Sequence, residues 1–230
     1  MQGRTNRKKE QGFTALEVIV AIAVVVLLAV LLLPRMARPK NRPHRINCVS
    51  NLKQVGLAAR MWANDNGEKF PWQVSTSTNG TMELVNGPSV SPHFLIMSNE
   101  LNSPRILACP TDATRTKAFV FSEFDDKHLS YFVGLDADET RPQSILSGDR
   151  NITGGVRVTN TVFQFTSNSV VGFTKDLHDK SGNIALGDGS AQQVSRSALS
   201  NQINAALLSS GQPALRLAIP YTSTHKHPCN

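Results

Sequence analysis

Two groups of residues in this chain could do chemistry. The first is a single carboxylate, Glu17. It stands in a run from Phe13 to Leu33 that holds no Lys, Arg, Asp, Asn, Gln or His. An ionised carboxylate in such a run is costly, so by default it has a partner and a task. The second group is Asp176, His178, Asp179 and Asp188, residue types that serve in metal and hydrolytic sites. Their spacing fits no strong metal motif, and the chain has no Gly-x-Ser-x-Gly nucleophile turn. A structural reading competes. Asp188-Gly189 closes a two-residue hairpin because Gly supplies the positive φ that the turn needs, and His178 hydrogen-bonds that hairpin as a fixed corner. The run "DADET" (136–140) has carboxylates at alternate positions but lacks the Gly and the terminal Glu of an EF-hand loop. No metal and no cofactor is expected.

The cysteines are Cys48, Cys109 and Cys229. None forms a CxxC pair, which argues against zinc. In an oxidising compartment they would give one disulfide and one spare thiol. In a reducing compartment all three could be ordinary buried residues.

The elements that must position these residues follow from charge and periodicity. The net charge is +7, but residues 1–45 hold nine Lys and Arg against two acids, and residues 46–230 hold 15 of each. The globular part is neutral, so nucleic acid is not an expected partner. The basic excess instead brackets the apolar run, as in segments that flank a bilayer. Residues 13–33 would span about 31 Å as a helix, enough to cross a hydrocarbon core. Basic residues on both sides leave the orientation open. Residues 34–45 carry Pro34, Pro39 and Pro43 and read as a kink at Pro34 followed by a broken linker. Helical periodicity resumes over 46–66, with Ile46, Val49, Leu52, Val55, Ala59 and Trp62 on one face. Residues 67–230 read as a β-rich domain. Its expected strands are "HFLIM", "KAFVFS", "LSYFVGL", "SILSG", "TVFQFT" and "SVVGFT", then a hairpin in "NIALGDGSAQQVS", a late helix with Leu199, Ile203, Ala206 and Leu207 inward, and a last strand in "ALRLAIP". The fold class is α+β, a leading helix packed on an antiparallel sheet.

The segments at the amino end together resemble a known signal. A basic leader (1–12) is followed by Gly12, Phe13, Thr14, Ala15, Leu16 and Glu17 and then the apolar helix. This resembles the prepilin signal of type IV pilins and type II secretion pseudopilins. The resemblance implies a pilin-like fold and a cut by prepilin peptidase between Gly12 and Phe13, with N-methylation of Phe13. It places Glu17 where the family pairs a carboxylate with a neighbouring subunit's amine, and Pro34 where many pilins kink. Ala15 departs from the commoner Leu. A second resemblance covers the body. "CVSNLKQVGLAARMWANDNGEKFP", "ILACPTD" and the His-x9-Asp-Gly signature, here His178 with Asp188 and Gly189, are similar to segments of a large group of prepilin-like proteins. Cys48 and Cys109 fall in those matching stretches and Cys229 in the tail, so in the periplasm a Cys48–Cys109 bridge is expected, worth roughly 3–4 kcal/mol in the loop-entropy account.

The resemblance implies a single-pass inner-membrane protein with a periplasmic globular domain, or one displayed at the cell surface in a filament. Its partners would be prepilin peptidase, other pseudopilin subunits, the inner-membrane assembly platform and the lipid bilayer. Such a chain is the substrate of an enzyme and not itself one. The alternatives are a membrane-anchored enzyme that uses His178, and a surface binding module that uses the signal only for export.

Overall fold

The structure, a computed structural model, describes the backbone of residues 14–36 and 41–220 and the side chains of residues 14–30 and 46–220. The chain divides into two units, residues 1–40 and residues 41–230, taken here one at a time.

The first unit is helix α1 (Ala15–Met36), whose backbone stays helical through Pro34. All its described side chains, such as Leu16, Ile19 and Leu27, are exposed. The part with described side chains, 15–30, is about 24 Å long at the α-helical rise. Among the described residues no helix is long and apolar enough to cross a membrane.

The second unit begins with α2 (Asn41–Asp65). It starts five residues earlier than the periodicity of 46–66 implies. Pro43 is accommodated because it lies in the first turn, where its missing N–H has no intrahelical partner to lose. The buried face is Cys48, Leu52, Val55, Ala58, Ala59, Trp62 and Ala63. Ile46, expected on that face, is 70% exposed, and Cys48 is buried in its place.

Between α2 and the first strand the chain is a series of short helical turns, including α3 (Pro92–Leu95) and α4 (Ser98–Leu101). Two expected strands fall here and are not strands. "HFLIM" is helical over α3 because Ser91 precedes Pro92, and proline's fixed φ starts a helical turn. "KAFVFS" ends in a 3-10 turn, Phe121–Glu123.

The sheet comprises β1 (Tyr131–Gly134), β2 (Ile145–Asp149), β4 (Val156–Arg157), β5 (Val162–Phe165), β7 (Gly182–Leu186), β8 (Ala191–Val194) and β9 (Leu215–Ala218). The order across it is β4-β5-β9-β1-β2-β7-β8, and every pairing is antiparallel. A small second sheet pairs β3 (Ile152–Thr153) with β6 (Gly172–Phe173). Helix α5 (Arg196–Ser210) is capped by Ser195 and closed by Gly211 in the left-handed region.

Strand alternation separates two cores. Tyr131, Val133, Leu146 and Ala185 join Leu52, Val55, Trp62, Phe70 and Phe94 on the α2 side. Phe132, Ile145, Ile184 and Leu186 join Leu199, Ile203 and Leu207 of α5 on the other. A helix on each face explains why β2 and β7 are buried at every position, since a period of two sends alternate side chains to opposite cores.

The hairpin between β7 and β8 meets α2 at one point. Its connection is three residues, not two, because Leu186 still pairs with Ser190. Gly189 holds φ 81, and a Cβ on Gly56 would stand 3.1 Å from the Gly189 Cα and carbonyl oxygen. Helix and hairpin backbones therefore touch where neither has a side chain. A Gly56→Val substitution should cost about 1–3 kcal/mol through overpacking. That is a fall of several degrees in the thermal midpoint at roughly 2–4 °C per kcal/mol. An unchanged midpoint would refute the contact.

His93, buried beside Trp72, has its Nδ1 2.7 Å from Thr81 Oγ1, and burial pushes its imidazole down to about 4. The unfolded chain takes up that proton near pH 6.5 and the folded chain only near pH 4. Stability is therefore full above pH 6.5 and falls as pH drops to 4, by about 3 kcal/mol from this group. Urea titrations over that range should show a shallower fall for His93→Phe than for the parent chain.

Candidate functional site

Glu17 is held locally. Thr14 is the residue before α1, and its backbone N–H and hydroxyl donate to Glu17 Oε2 at 2.8 and 3.0 Å. The Glu17 N–H reaches back to Thr14 Oγ1 at 3.4 Å. This reciprocal pair is a capping box in a Thr-x-x-Glu sequence. The carboxylate therefore satisfies donors that the helix start would otherwise leave open. It is also exposed. Gly12 and Phe13 lie outside the described residues, as does Cys229, and Pro34 is described only as backbone.

A buried polar cluster forms in the second unit. Cys48, on α2, and Cys109 are joined as a disulfide with their Cα atoms 5.5 Å apart. The bridge ties α2 to the loop Cys109-Pro110-Thr111-Asp112, which fans out in three directions. Cys109 Sγ lies 3.5 Å from His178 Nε2. Thr111 Oγ1 lies 3.4 Å from His178 Nδ1. Asp112 receives both Arg150 Nε (2.6 Å) and Arg150 Nη2 (2.8 Å), with Ser130 and Thr114 donating as well. Burial opposes the charge on Asp112, but these donors together hold its carboxyl below the usual range. A bidentate buried pair of this kind is strong when complete and costly to break.

His178 is 3% exposed. Its Nε2 stands 3.4 Å from Oδ2 of Asp149, the last residue of β2, which is wholly buried. Asp149 Oδ2 accepts from the backbone N–H and side-chain amide of Asn183 on β7, at 2.7 and 2.9 Å. Its Oδ1 has no hydrogen-bond partner among the described residues. Burial pushes this carboxyl up to about 7, against the lowering effect of the Asn183 donors. The two residues after His178, Asp179 and Lys180, hold φ 49 and 62. Positive φ at adjacent non-glycine residues is strain that the surroundings must hold in place.

The rival catalytic grouping of Asp176, His178, Asp179 and Asp188 does not assemble. Asp176, Asp179 and Asp188 are exposed, while His178 is buried and turned to Asp149, a residue the sequence analysis did not single out. The fixed corner expected of His178 is also different. Its ring addresses Cys109, Thr111 and Asp149, and Asp188-Gly189 lies beyond the other end of β7. Arg60 of α2 holds that turn instead, donating to the Asp188 carbonyl at 2.9 Å while pairing with Glu139 at 3.1 Å. The other acids of "DADET" also have cationic partners, Asp138 in Arg141 and Asp136 in Arg216.

Comparison with known proteins gives one kind of match. The chain is 34% identical over 86 residues to the type II secretion system core protein G of Klebsiella pneumoniae. It is 31% identical over 86 residues to the protein of the same name from Aeromonas hydrophila. The matched stretch is 37% of this chain and 57–58% of those proteins, so the chain spans less than two thirds of the relatives' length. No family model matches the chain, and no solved structure matches it.

Reducing the Cys48–Cys109 bridge releases a loop closed over a separation of 61 residues. Loss of the cross-link should cost roughly 3–4 kcal/mol, visible as a lower denaturation midpoint in reductant and in a Cys109→Ser chain. Arg150→Ala, which leaves Asp112 buried and unpaired, should cost about 3–5 kcal/mol.

Proposed function

We propose that this chain is a pseudopilin-like structural subunit of a type II secretion or type IV pilus-like assembly. In this reading it is made with a leader, cut after Gly12, methylated at Phe13 and assembled through its apolar helix. The similarity to core protein G over 86 residues supports the secretion-system class. The observation that carries the reading is the start of α1. A capping box built on Glu17 opens a helix whose described faces are all apolar and exposed. Such a helix needs lipid or other apolar helices around it, because contiguous exposed apolar surface of this extent is not stable in water. The full apolar run, 13–33, is long enough for a bilayer at about 31 Å. A leader kept inside would place residues 41–230 in the periplasm, where a disulfide persists.

Thr14 stays in an amide bond after a cut between Gly12 and Phe13, so the capping box survives processing. The new amine at Phe13 then offers a cation that the unprocessed chain lacks. Glu17 keeps one oxygen, Oε1, for which no bond to Thr14 is made, and that oxygen is the atom offered to a neighbouring subunit's amine.

Mass spectrometry of the mature amino terminus tests the processing. The expected result is N-methyl-Phe13, and an intact Met1 or a cut near Pro34 would overturn the reading. Glu17→Ala should leave cleavage in place while filament incorporation falls at least tenfold. Incorporation equal to that of the parent would remove the assembly role.

A further inference from the structure

The polar cluster around His178 is more than a clamp for the disulfide. Cys48, Cys109 and His178 are all buried, and one ligand atom from each lies within 4.8 Å of the other two. We propose that the reduced chain binds one zinc-type divalent cation here, through Cys48, Cys109 and His178, with the Asp149 carboxylate beside the imidazole. The disulfide and the metal are then alternative occupants of one site.

The distances carry the inference. Tetrahedral zinc takes thiolate sulfur at ~2.3 Å and imidazole nitrogen or carboxylate oxygen at ~2.0–2.2 Å. The edge of a tetrahedron is longer than its bonds by a fixed ratio, so neighbouring ligand atoms around zinc stand roughly 3.3–3.7 Å apart. His178 Nε2 is 3.5 Å from Cys109 Sγ and 3.4 Å from Asp149 Oδ2. The first separation matches a sulfur–nitrogen coordination edge. The two sulfurs are bonded to each other in the oxidised chain, and breaking that bond lets them separate.

The surrounding contacts suit ligands. A metal-bound imidazole usually has its other nitrogen fixed by an acceptor, and Thr111 Oγ1 lies 3.4 Å from Nδ1. Asp149, held by two donors from Asn183, sets a carboxylate 3.4 Å from His178 Nε2. The strained turn at Asp179 and Lys180, both exposed, follows His178 directly in the chain. Spacing along the chain hides all of this, because 61 residues separate the cysteines and 69 separate Cys109 from His178.

The chemistry balances in two steps. An external dithiol reduces the disulfide by exchange, leaving two thiols on the chain and the dithiol oxidised to its own disulfide. The cation then displaces one proton from each thiol, and two thiolates bind the metal as two protons leave. Metal uptake is therefore confined to chains that have been reduced or have not yet been oxidised.

The test uses the full chain in detergent, reduced with a phosphine. The tail also holds His225, His227 and Cys229, so the starting chain carries His225→Ala, His227→Ala and Cys229→Ser. Cobalt(II) added alone should give thiolate charge-transfer absorption with one ion per chain, and zinc(II) should displace it. Zinc should also raise the thermal midpoint of the reduced chain and leave that of the oxidised chain unmoved. His178→Ala should weaken zinc binding more than tenfold while its oxidised form keeps the parent's circular dichroism. X-ray absorption of the zinc-loaded starting chain needs no further variant, and it should show two sulfurs at about 2.3 Å. A first shell without sulfur, no uptake by the reduced chain, or equal affinity in His178→Ala would each overturn the proposal.

Discussion

One covalent tie, the bridge between Cys48 on α2 and Cys109, organises the packing of residues 41–230. Residues 66–130 hold only short helical turns and no strand. A segment of that kind has no ladder to fix it, and each turn leaves backbone groups that need partners from outside. The bridge fixes its position against the helix at one atom. The next residues then reach further: Thr111 to His178, and Asp112 to Arg150 at the end of β2. One loop of four residues thus joins α2, the sheet and the turn before β7. Asp149 and Arg150, adjacent in sequence, divide the work, one facing the Asn183 amide and the imidazole, the other the Asp112 carboxylate.

That tie matters because the sheet is loaded on both sides. With α2 on one face and α5 on the other, the central strands have no solvent-facing side on which to place polar groups. Polar chemistry is pushed to the strand ends, and the ends of β2 and β7 meet where the disulfide lies. The buried carboxylate of Asp149 is tolerable there because Asn183 supplies two donors, and it remains costly because one oxygen has no donor among the described residues. The imidazole beside that carboxylate lies within 4.8 Å of both sulfurs, the grouping that a cation would complete in the reduced chain.

Much of the architecture was legible in the sequence because it rests on local patterns. The three- and four-residue steps from Leu52 to Trp62 mark the buried face of α2, and β-branched and aromatic runs mark β1, β2, β5 and the β7–β8 hairpin. The misreadings are of two kinds. "HFLIM" has a strand's composition but follows Pro92, and a short apolar run takes its state from its neighbours. Ile46 satisfies the helical period yet lies outside the packed region, because periodicity gives a face and not how far along it the partner extends. The site was illegible for a different reason. Cys109, Asp149 and His178 meet only after the chain has crossed the sheet, and nothing in "SGDR" distinguishes an aspartate that will be buried from one that will not. His178 was singled out and its partners were missed, since a partner at long range leaves no local mark.

The same limit applies to Glu17, in the opposite sense. Its local mark, Thr-x-x-Glu, is complete, and the structure shows the carboxylate bonded to Thr14. A residue already satisfied within its own helix has less to gain from a partner than one left bare. Yet the capping box engages a single oxygen, and a carboxylate accepts on both. An ammonium brought to the second oxygen would add charge to a group that the cap already orients, without breaking the cap. Preorganisation of this kind lowers the ordering cost of association. In the proposed assembly the capping box and an intersubunit pair would be compatible uses of one side chain, the first holding it still for the second.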